Sequence, residues 1–217
     1  MEKEEIVRFV GVTGLPGAGK GAFVDLLRPL LDERGVTMRY YSLSDELRAE
    51  ARRRGLAVER PVLRAIANEL RLEHGSGVLS KLVVRQIVAD LASSPSHGPL
   101  LVIIDAIRNP QEVHVLRREL KAHFTLVGVE APLDILVNRI ASRARYDEPE
   151  EFVQERAAAL KMILGESGKD EPAHGHNIAE CVAEAEWRVD NSGSLEELEA
   201  ATKRFVEAII PIRVEKE

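Results

Sequence analysis

The chain lacks most of what marks a secreted, membrane-embedded or nucleic-acid-coating protein. Cys181 is its only cysteine, so no internal disulfide can form, and the composition fits a reducing cytoplasm. No apolar run approaches the roughly 20 residues needed to cross a bilayer. Met1-Glu2-Lys3-Glu4-Glu5 has neither the basic nor the apolar region of a signal peptide. Aromatics are scarce, with one Trp, three Tyr and five Phe, too few for platforms that stack single-stranded nucleic acid. Basic charge is not in excess either. The formal net charge is −6, which excludes a bulk electrostatic grip on nucleic acid and leaves room only for a local basic cleft. Repeats and low-complexity tracts are absent. The length, 217 residues, suits one α/β domain with embellishments over residues 1–217.

What the chain does have is a glycine turn near its start. The apolar run Ile6 to Val12 leads into Thr13-Gly14-Leu15-Pro16-Gly17-Ala18-Gly19-Lys20-Gly21-Ala22, and a helical pattern follows. Strand, glycine-rich loop, lysine and helix in that order form a cradle for polyphosphate. The glycines let backbone approach a ligand, and the loop N–H groups form an anion nest at the positive end of the next helix. Lys20 adds a mobile point charge for the outer phosphates. Gly14, Pro16, Gly17, Ala18, Gly19, Lys20, Gly21 and Ala22 are therefore the candidate binding residues for ATP. The position after the lysine ordinarily holds a Ser or Thr whose hydroxyl ligates Mg²⁺. Here it holds Gly21.

The rest alternates strand and helix. Lys20 to about Arg34 reads as a helix that Pro29 should kink or shorten. Val36–Tyr41 reads as a strand. Ser44 or Asp45 is the expected N-cap of the helix that follows. From Val62 to about Glu73 an apolar stripe (Val62, Leu63, Ile66, Ala67, Leu70) leaves Arg64, Asn68 and Arg71 off the buried face, and Val78 to Ala92 is a further amphipathic helix. Leu100 to Asp105 is an apolar run ending in a carboxylate, as expected of a central parallel strand buried on both faces. The carboxyl end of such a strand lies at the ligand crevice, so Asp105 is the candidate Mg²⁺ residue, acting directly or through water. Helices over Pro110–Ala122 and from Pro132 flank a strand at Phe124–Val129. The second carries Arg139 and Arg143 on one face, with Arg145 beyond. Glu151–Leu164 looks helical, and Gly165 to Pro172 reads as a mobile loop. His174, His176 and Cys181 fit no zinc spacing. Glu186–Asp190 is a fifth strand, and Ser194 with Glu197 forms a capping box. These elements imply about five parallel strands with helices on both faces.

Four segments carry a family resemblance. Gly14-x-Pro16-Gly17-x-Gly19-Lys20-Gly21 resembles the adenylate kinase branch of the P-loop nucleoside monophosphate kinases, where a Thr stands in place of Ala22. Ser42-Leu43-Ser44-Asp45-Glu46-Leu47-Arg48 resembles that family's acceptor segment, although Leu43 and Ser44 replace its Thr and Gly. Asp105-Ala106-Ile107-Arg108 is similar in spacing to dephospho-CoA kinases, to deoxynucleotide kinase-like relatives and to an uncharacterised archaeal group of P-loop kinase-like proteins. Asp190 to Leu198 resembles the end of dephospho-CoA kinases.

The resemblance implies a P-loop NTPase three-layer sandwich with an NMP-binding helical segment at 42–93 and a lid or extension at 139–180. It implies that Arg48 grips the acceptor phosphate, with Ser44 and Asp45 beside the reacting groups and Arg64 and Arg71 as further contacts. Arg108 would hold acceptor or transferred phosphate. Arg139 and Arg143 would close over the transfer zone, with Lys20, Asp45, Asp105, Arg108 and Arg143 as the catalytic set. Asn191 and Gly193 would lie near the donor adenine. The expected activity is ATP- and Mg²⁺-dependent phosphoryl transfer to a small NMP or dNMP, without nucleic acid or membrane partners, by a monomer or homodimer. The alternatives are a nucleotide-binding regulator with weak or no transfer, motivated by Gly21 and Ala22, and a dephospho-CoA kinase-like enzyme.

Overall fold

The computed structural model describes residues 7–96, 98–142, 156–168 and 171–210. Five strands form one sheet: β1 (Val7–Thr13), β2 (Thr37–Ser42), β3 (Leu100–Ile107), β4 (Phe124–Glu130) and β5 (Trp187–Asp190). Their order is β2-β3-β1-β4-β5 and every pairing is parallel. Between them run α1 (Lys20–Asp32), α2 (Leu43–Arg53), α3 (Arg60–His74), α4 (Val78–Ser93), α5 (Pro110–Leu120), α6 (Leu133–Ala141), α7 (Arg156–Ser167), α8 (Ile178–Ala183) and α9 (Leu195–Ile209). Among the described residues no helix is long and apolar enough to cross a membrane.

Strand alternation divides the core in two. Val10, Val12, Leu101, Ile103, Val127 and Val129 face one way and pack against α1, α6, α7 and α9. Leu100, Val102, Ile104, Phe124 and Leu126 face the other way, against α2, α3, α4, α5 and α8. Both faces are dry, as a parallel sheet requires, because each crossover lays a helix on one of them. The result is a three-layer α/β sandwich. Phe205 of α9 packs its ring at 5.5 Å from those of both Phe23 and Trp187, tilted against the first and edge-on to the second.

One irregularity aims the site. Gly11 pairs with Ile104, but Thr13 pairs with Ile107, so β3 carries one extra residue at its carboxyl end. Ala106 absorbs it with φ of +64°, a left-handed conformation uncommon for a residue with a Cβ. The bulge reverses the alternation, and Ile107 joins the face of Leu100, Val102 and Ile104. Thr13 Oγ1 donates to the Ile107 carbonyl at 3.0 Å and fastens the bulge to β1.

Three local expectations are corrected. Helix α1 runs through Pro29 to Asp32 without a break. Pro29 lies on the exposed side, where the carbonyl deprived of its helical partner can bond to water. The N-cap of α2 is Ser42, not Ser44 or Asp45: its Oγ accepts from the Ser44 N–H at 3.3 Å while its backbone is still extended. The stretch from Gly165 is not loop throughout, because α7 continues to Ser167 and Glu166 is buried.

Arg71 is corrected as well. It is 2% exposed and donates to Glu112 at 2.7 Å. Glu112 is completely buried and its other oxygen accepts from the N–H groups of Arg108 and Asn109, completing the capping box of α5. One carboxylate thus joins α3, the end of β3 and the start of α5. Removing it strands a buried guanidinium, a loss of about 3–5 kcal/mol. Glu112→Ala is expected to lower the thermal midpoint by on the order of 10 °C. A shift of only a degree or two in a thermal melt would contradict this account of the Arg71–Glu112 pair.

Candidate active site

At the carboxyl ends of β1 and β3 lies a cavity of about 330 Å³. The chain leaves β1 toward β2 and β3 on one side and reaches β4 and β5 on the other, so this is the switch point where open α/β sheets bind ligands. The glycine loop lines it with Gly14, Pro16, Gly17, Gly19, Lys20, Gly21 and Ala22. Gly17 has φ of +84°, and a Cβ there would lie 2.8 Å from the Leu136 carbonyl oxygen. Gly19, the N-cap of α1, has φ of +95°, and its Cβ would collide with Asn191 Nδ2 at 2.0 Å. Both glycines are therefore required by conformation and by space. Lys20 Nζ donates to the Gly14 carbonyl at 2.7 Å. At Gly21 a Cβ would meet nothing within 4 Å, so crowding does not exclude the Ser or Thr usual at this place.

Asn191 and Gly193, assigned near the donor base through their backbone, follow the end of β5. Asn191 is buried, and its Nδ2 donates to the Ala18 carbonyl at 2.7 Å. It braces the loop from behind. Gly193 lies against the Glu197 carboxylate of the α9 cap and does not line the cavity. Ala18 is buried and contributes its carbonyl to that brace. Arg139 reaches the Gly17 carbonyl at 3.4 Å, so α6 does set an arginine against the loop. Arg143 and Arg145 lie outside the described residues.

Opposite the loop, Arg48, Arg60, Arg64, Arg71 and Arg108 line the same cavity, together with Ser44, Tyr40, Asp105, Glu166 and His176. Sequence reading named four of these arginines and missed Arg60. Its position in the first turn of α3, next to Pro61, carries no local signal beyond charge. Asp45 is drawn out of the cavity lining, mostly exposed, and bonded to Arg48 at 3.1 Å. Arg64 donates to the Gly165 carbonyl at 3.1 Å and pairs with Glu171.

Asp105 receives a hydrogen bond from Tyr40, whose hydroxyl donates to Oδ2 at 2.8 Å. Burial, and then the charge of Asp105, push the phenol pKa well up, so the hydroxyl stays a donor. Asp105 Oδ1 is buried and has no hydrogen-bond partner among the described residues. An orphaned carboxylate oxygen beside a phosphate nest fits Mg²⁺, which typically takes one or two carboxylates plus phosphate oxygens and waters. No group of three His, Cys, Asp or Glu that could hold a metal occurs among the described residues.

The largest departure from expectation is Glu166. Its carboxylate, 2% exposed, pairs with Arg60 through Oε1 and with Arg108 through Oε2, the latter at 2.6 Å. Burial alone would raise its pKa, but Arg108 and Arg60, with Lys20 further off, hold it at about 2. His176 is also buried. Burial, then Arg108, depress its imidazole to about 2, with Glu166 opposing only in part, so it is neutral near pH 7. The segment containing it is tied to β3, since Asn109 Nδ2 donates to the Gly175 carbonyl at 2.8 Å and the Asn177 N–H to the Arg108 carbonyl at 2.7 Å.

Both shifts have the same sign for stability. His176 and Glu166 bind fewer protons folded than unfolded, so stability rises with pH. The His176 contribution is complete above its ordinary pKa of 6.5 and is lost below it. That of Glu166 is complete above 4.5 and is lost toward 2. The thermal midpoint should therefore be flat above about pH 7 and fall between pH 6.5 and 4.5. His176→Gln is expected to flatten that window specifically. An unchanged slope in the variant would contradict the assignment.

No family model matches the chain. UPF0200 protein TK1334 of Thermococcus kodakarensis is 30% identical to it over 203 residues, covering 92% of this chain and 96% of that protein. A UPF0200 protein of Hyperthermus butylicus is 30% identical over 195 residues, covering 90% and 91%. Among solved structures, TT1252 from Thermus thermophilus superposes with a TM-score of 0.52 at 25% identity, over 95% of this chain and 98% of that one. Shikimate kinase from Bacteroides thetaiotaomicron does so with a TM-score of 0.52 at 15% identity, over 93% and 98%, which establishes a shared fold. With a three-layer α/β fold shared with these structures and relatives aligned along nearly its whole length, the chain belongs to the UPF0200 family.

Proposed function

We propose that the protein transfers the terminal phosphoryl group of ATP to a small nucleotide that already bears a phosphate, an NMP or dNMP. The observation that carries this reading is the meeting of two anion-binding surfaces in one cavity: the glycine loop with Lys20 on one side, and Arg48, Arg60, Arg64, Arg71 and Arg108 on the other. A site that binds only ATP has no use for the second surface.

In this reading residues 42–93 form the acceptor segment and 139–180 the lid. The loop N–H groups and Lys20 hold the triphosphate, and guanidiniums across the cavity hold the acceptor in line with it. Asp105, through Oδ1, would hold Mg²⁺, whose charge supports the phosphates as the bond breaks. Tyr40 fixes the orientation of Asp105. Arg139, already at the Gly17 carbonyl, is placed to meet charge that develops on the transferred group. Positioning and fixed charge supply the rate, because phosphoryl transfer through a loose transition state asks for little covalent help.

Two features favour a second reading, a nucleotide-binding regulator. The loop has no hydroxyl at Gly21 or Ala22, and a carboxylate of the chain itself fills the acceptor side. A coupled assay with a panel of NMPs and dNMPs separates the two. The kinase reading predicts ADP release with at least one acceptor, and ATP binding without ADP release for any acceptor would favour the regulator. ATP at about 100-fold excess over its Kd is expected to raise the thermal midpoint by on the order of 5–10 °C. Lys20→Ala should abolish that shift and reduce turnover at least ~100-fold. An undiminished shift in the variant would overturn the assignment of the loop.

A further inference from the structure

A carboxylate is costly to remove from water unless cations surround it. Glu166 is buried on α7, yet its two oxygens are taken one each by guanidiniums from separate elements, Arg60 at the start of α3 and Arg108 after β3. Those residues are 106 and 58 positions away in the chain. The cluster is therefore a tertiary construction gathered at one point, which lines the same cavity as the glycine loop; the charge of Lys20 also favours the ionised form of Glu166. A carboxylate does not use all the donors available. Arg71 lines the same cavity and is 2% exposed. Its Nη2 serves Glu112, while its Nε and Nη1 are buried with no hydrogen-bond partner among the described residues. His176, neutral and buried, also has an Nδ1 without a partner among the described residues, and it is a further donor in the tautomer that carries its one N–H there. A group with three terminal oxygens and charge near −2 would engage donors that a two-oxygen monoanion leaves idle.

We infer that the Arg60–Arg108 pair is a binding site for a phosphate monoester, and that Glu166 is its internal substitute, held there until such an anion displaces it. The identification of that monoester as the acceptor rests on the phosphotransferase reading above. The site itself does not, and can be tested with inorganic phosphate alone. Displacement is an exchange of one anion for another on the same guanidiniums, so the charge of the cavity stays compensated throughout. It also makes acceptor affinity a difference between two anions, which favours dianions over the carboxylates of common metabolites.

The experiment is a calorimetric titration of the full chain with phosphate and, separately, with acetate. Glu166→Gln is expected to bind phosphate at least about tenfold more tightly than the unaltered protein, because the competitor has lost its charge. The gain should be smaller for acetate, should persist when Lys20→Ala is added, and should vanish when Arg60→Gln is added. Equal affinity in Glu166→Gln and the unaltered protein would overturn the proposal. So would an equal gain for both anions, or a gain that survives Arg60→Gln and disappears with Lys20→Ala, which would place it at the glycine loop. Should Glu166→Gln fail to fold, Glu166→Asp retracts the carboxylate by one methylene and should give a smaller gain in the same direction, with no gain counting against the proposal. Failure of ATP to bind would remove the kinase reading and leave this result standing.

Discussion

Guanidiniums facing a confined cavity need anions, because their charge cannot be neutralised by losing a proton and water is displaced from around them. Five arginines line one cavity here, and the surrounding structure follows from how each is compensated. Arg71 takes Glu112, which in turn caps α5 and fixes the backbone at Arg108. Arg64 takes Glu171, Arg48 takes Asp45, and Arg60 and Arg108 share Glu166. Structural pairs and the proposed ligand site are thus built from the same residue types. They differ in where the carboxylate lies: Glu112 is closed off from the cavity among bonded partners, whereas Glu166 lines the cavity together with the glycine loop.

The sheet places these parts. A parallel sheet gathers its carboxyl ends on one edge, and β1 between β3 and β4 brings the glycine loop beside the end of β3. Asp105 lines the cavity, and the bulge at Ala106 changes the phase of β3 just past it, so that Ile107 returns to the core. Tyr40 on the neighbouring strand then reaches Asp105. A loop without its usual hydroxyl, and with open space where one would fit, lines the same cavity as a carboxylate that a phenol holds by a hydrogen bond.

How much of this the sequence declared depends on range. The glycine loop was legible because its spacing is local and its flanks are a strand and a helix. β1 and β3 were legible from apolar runs, the other strands from their places between helical patterns, and Asp105 from its place at the end of β3. Arg71 was misread as lying off the apolar stripe, although it follows Ala67 by four residues and so shares its face, a signal that was present. Glu166 was invisible: its neighbours Gly165, Ser167 and Gly168 read as loop, and its two partners are distant in the chain. Tyr40 was equally silent, since nothing in a strand's alternation says which residue meets a carboxylate on the next strand. The likeness at Asn191 pointed to the base through backbone and gave no sign that the side chain bonds the loop carbonyl of Ala18.

The central claim is that one cavity holds a triphosphate on the glycine loop and a second phosphate on the guanidiniums now held by Glu166. A crystal structure with a non-hydrolysable ATP analogue and inorganic phosphate tests it most directly. The account predicts the β- and γ-phosphates within the loop formed by Gly14 to Gly21, a phosphate between Arg60 and Arg108, and the Glu166 carboxylate moved off both. A triphosphate bound elsewhere, or Glu166 still between the two arginines with both ligands present, would contradict it.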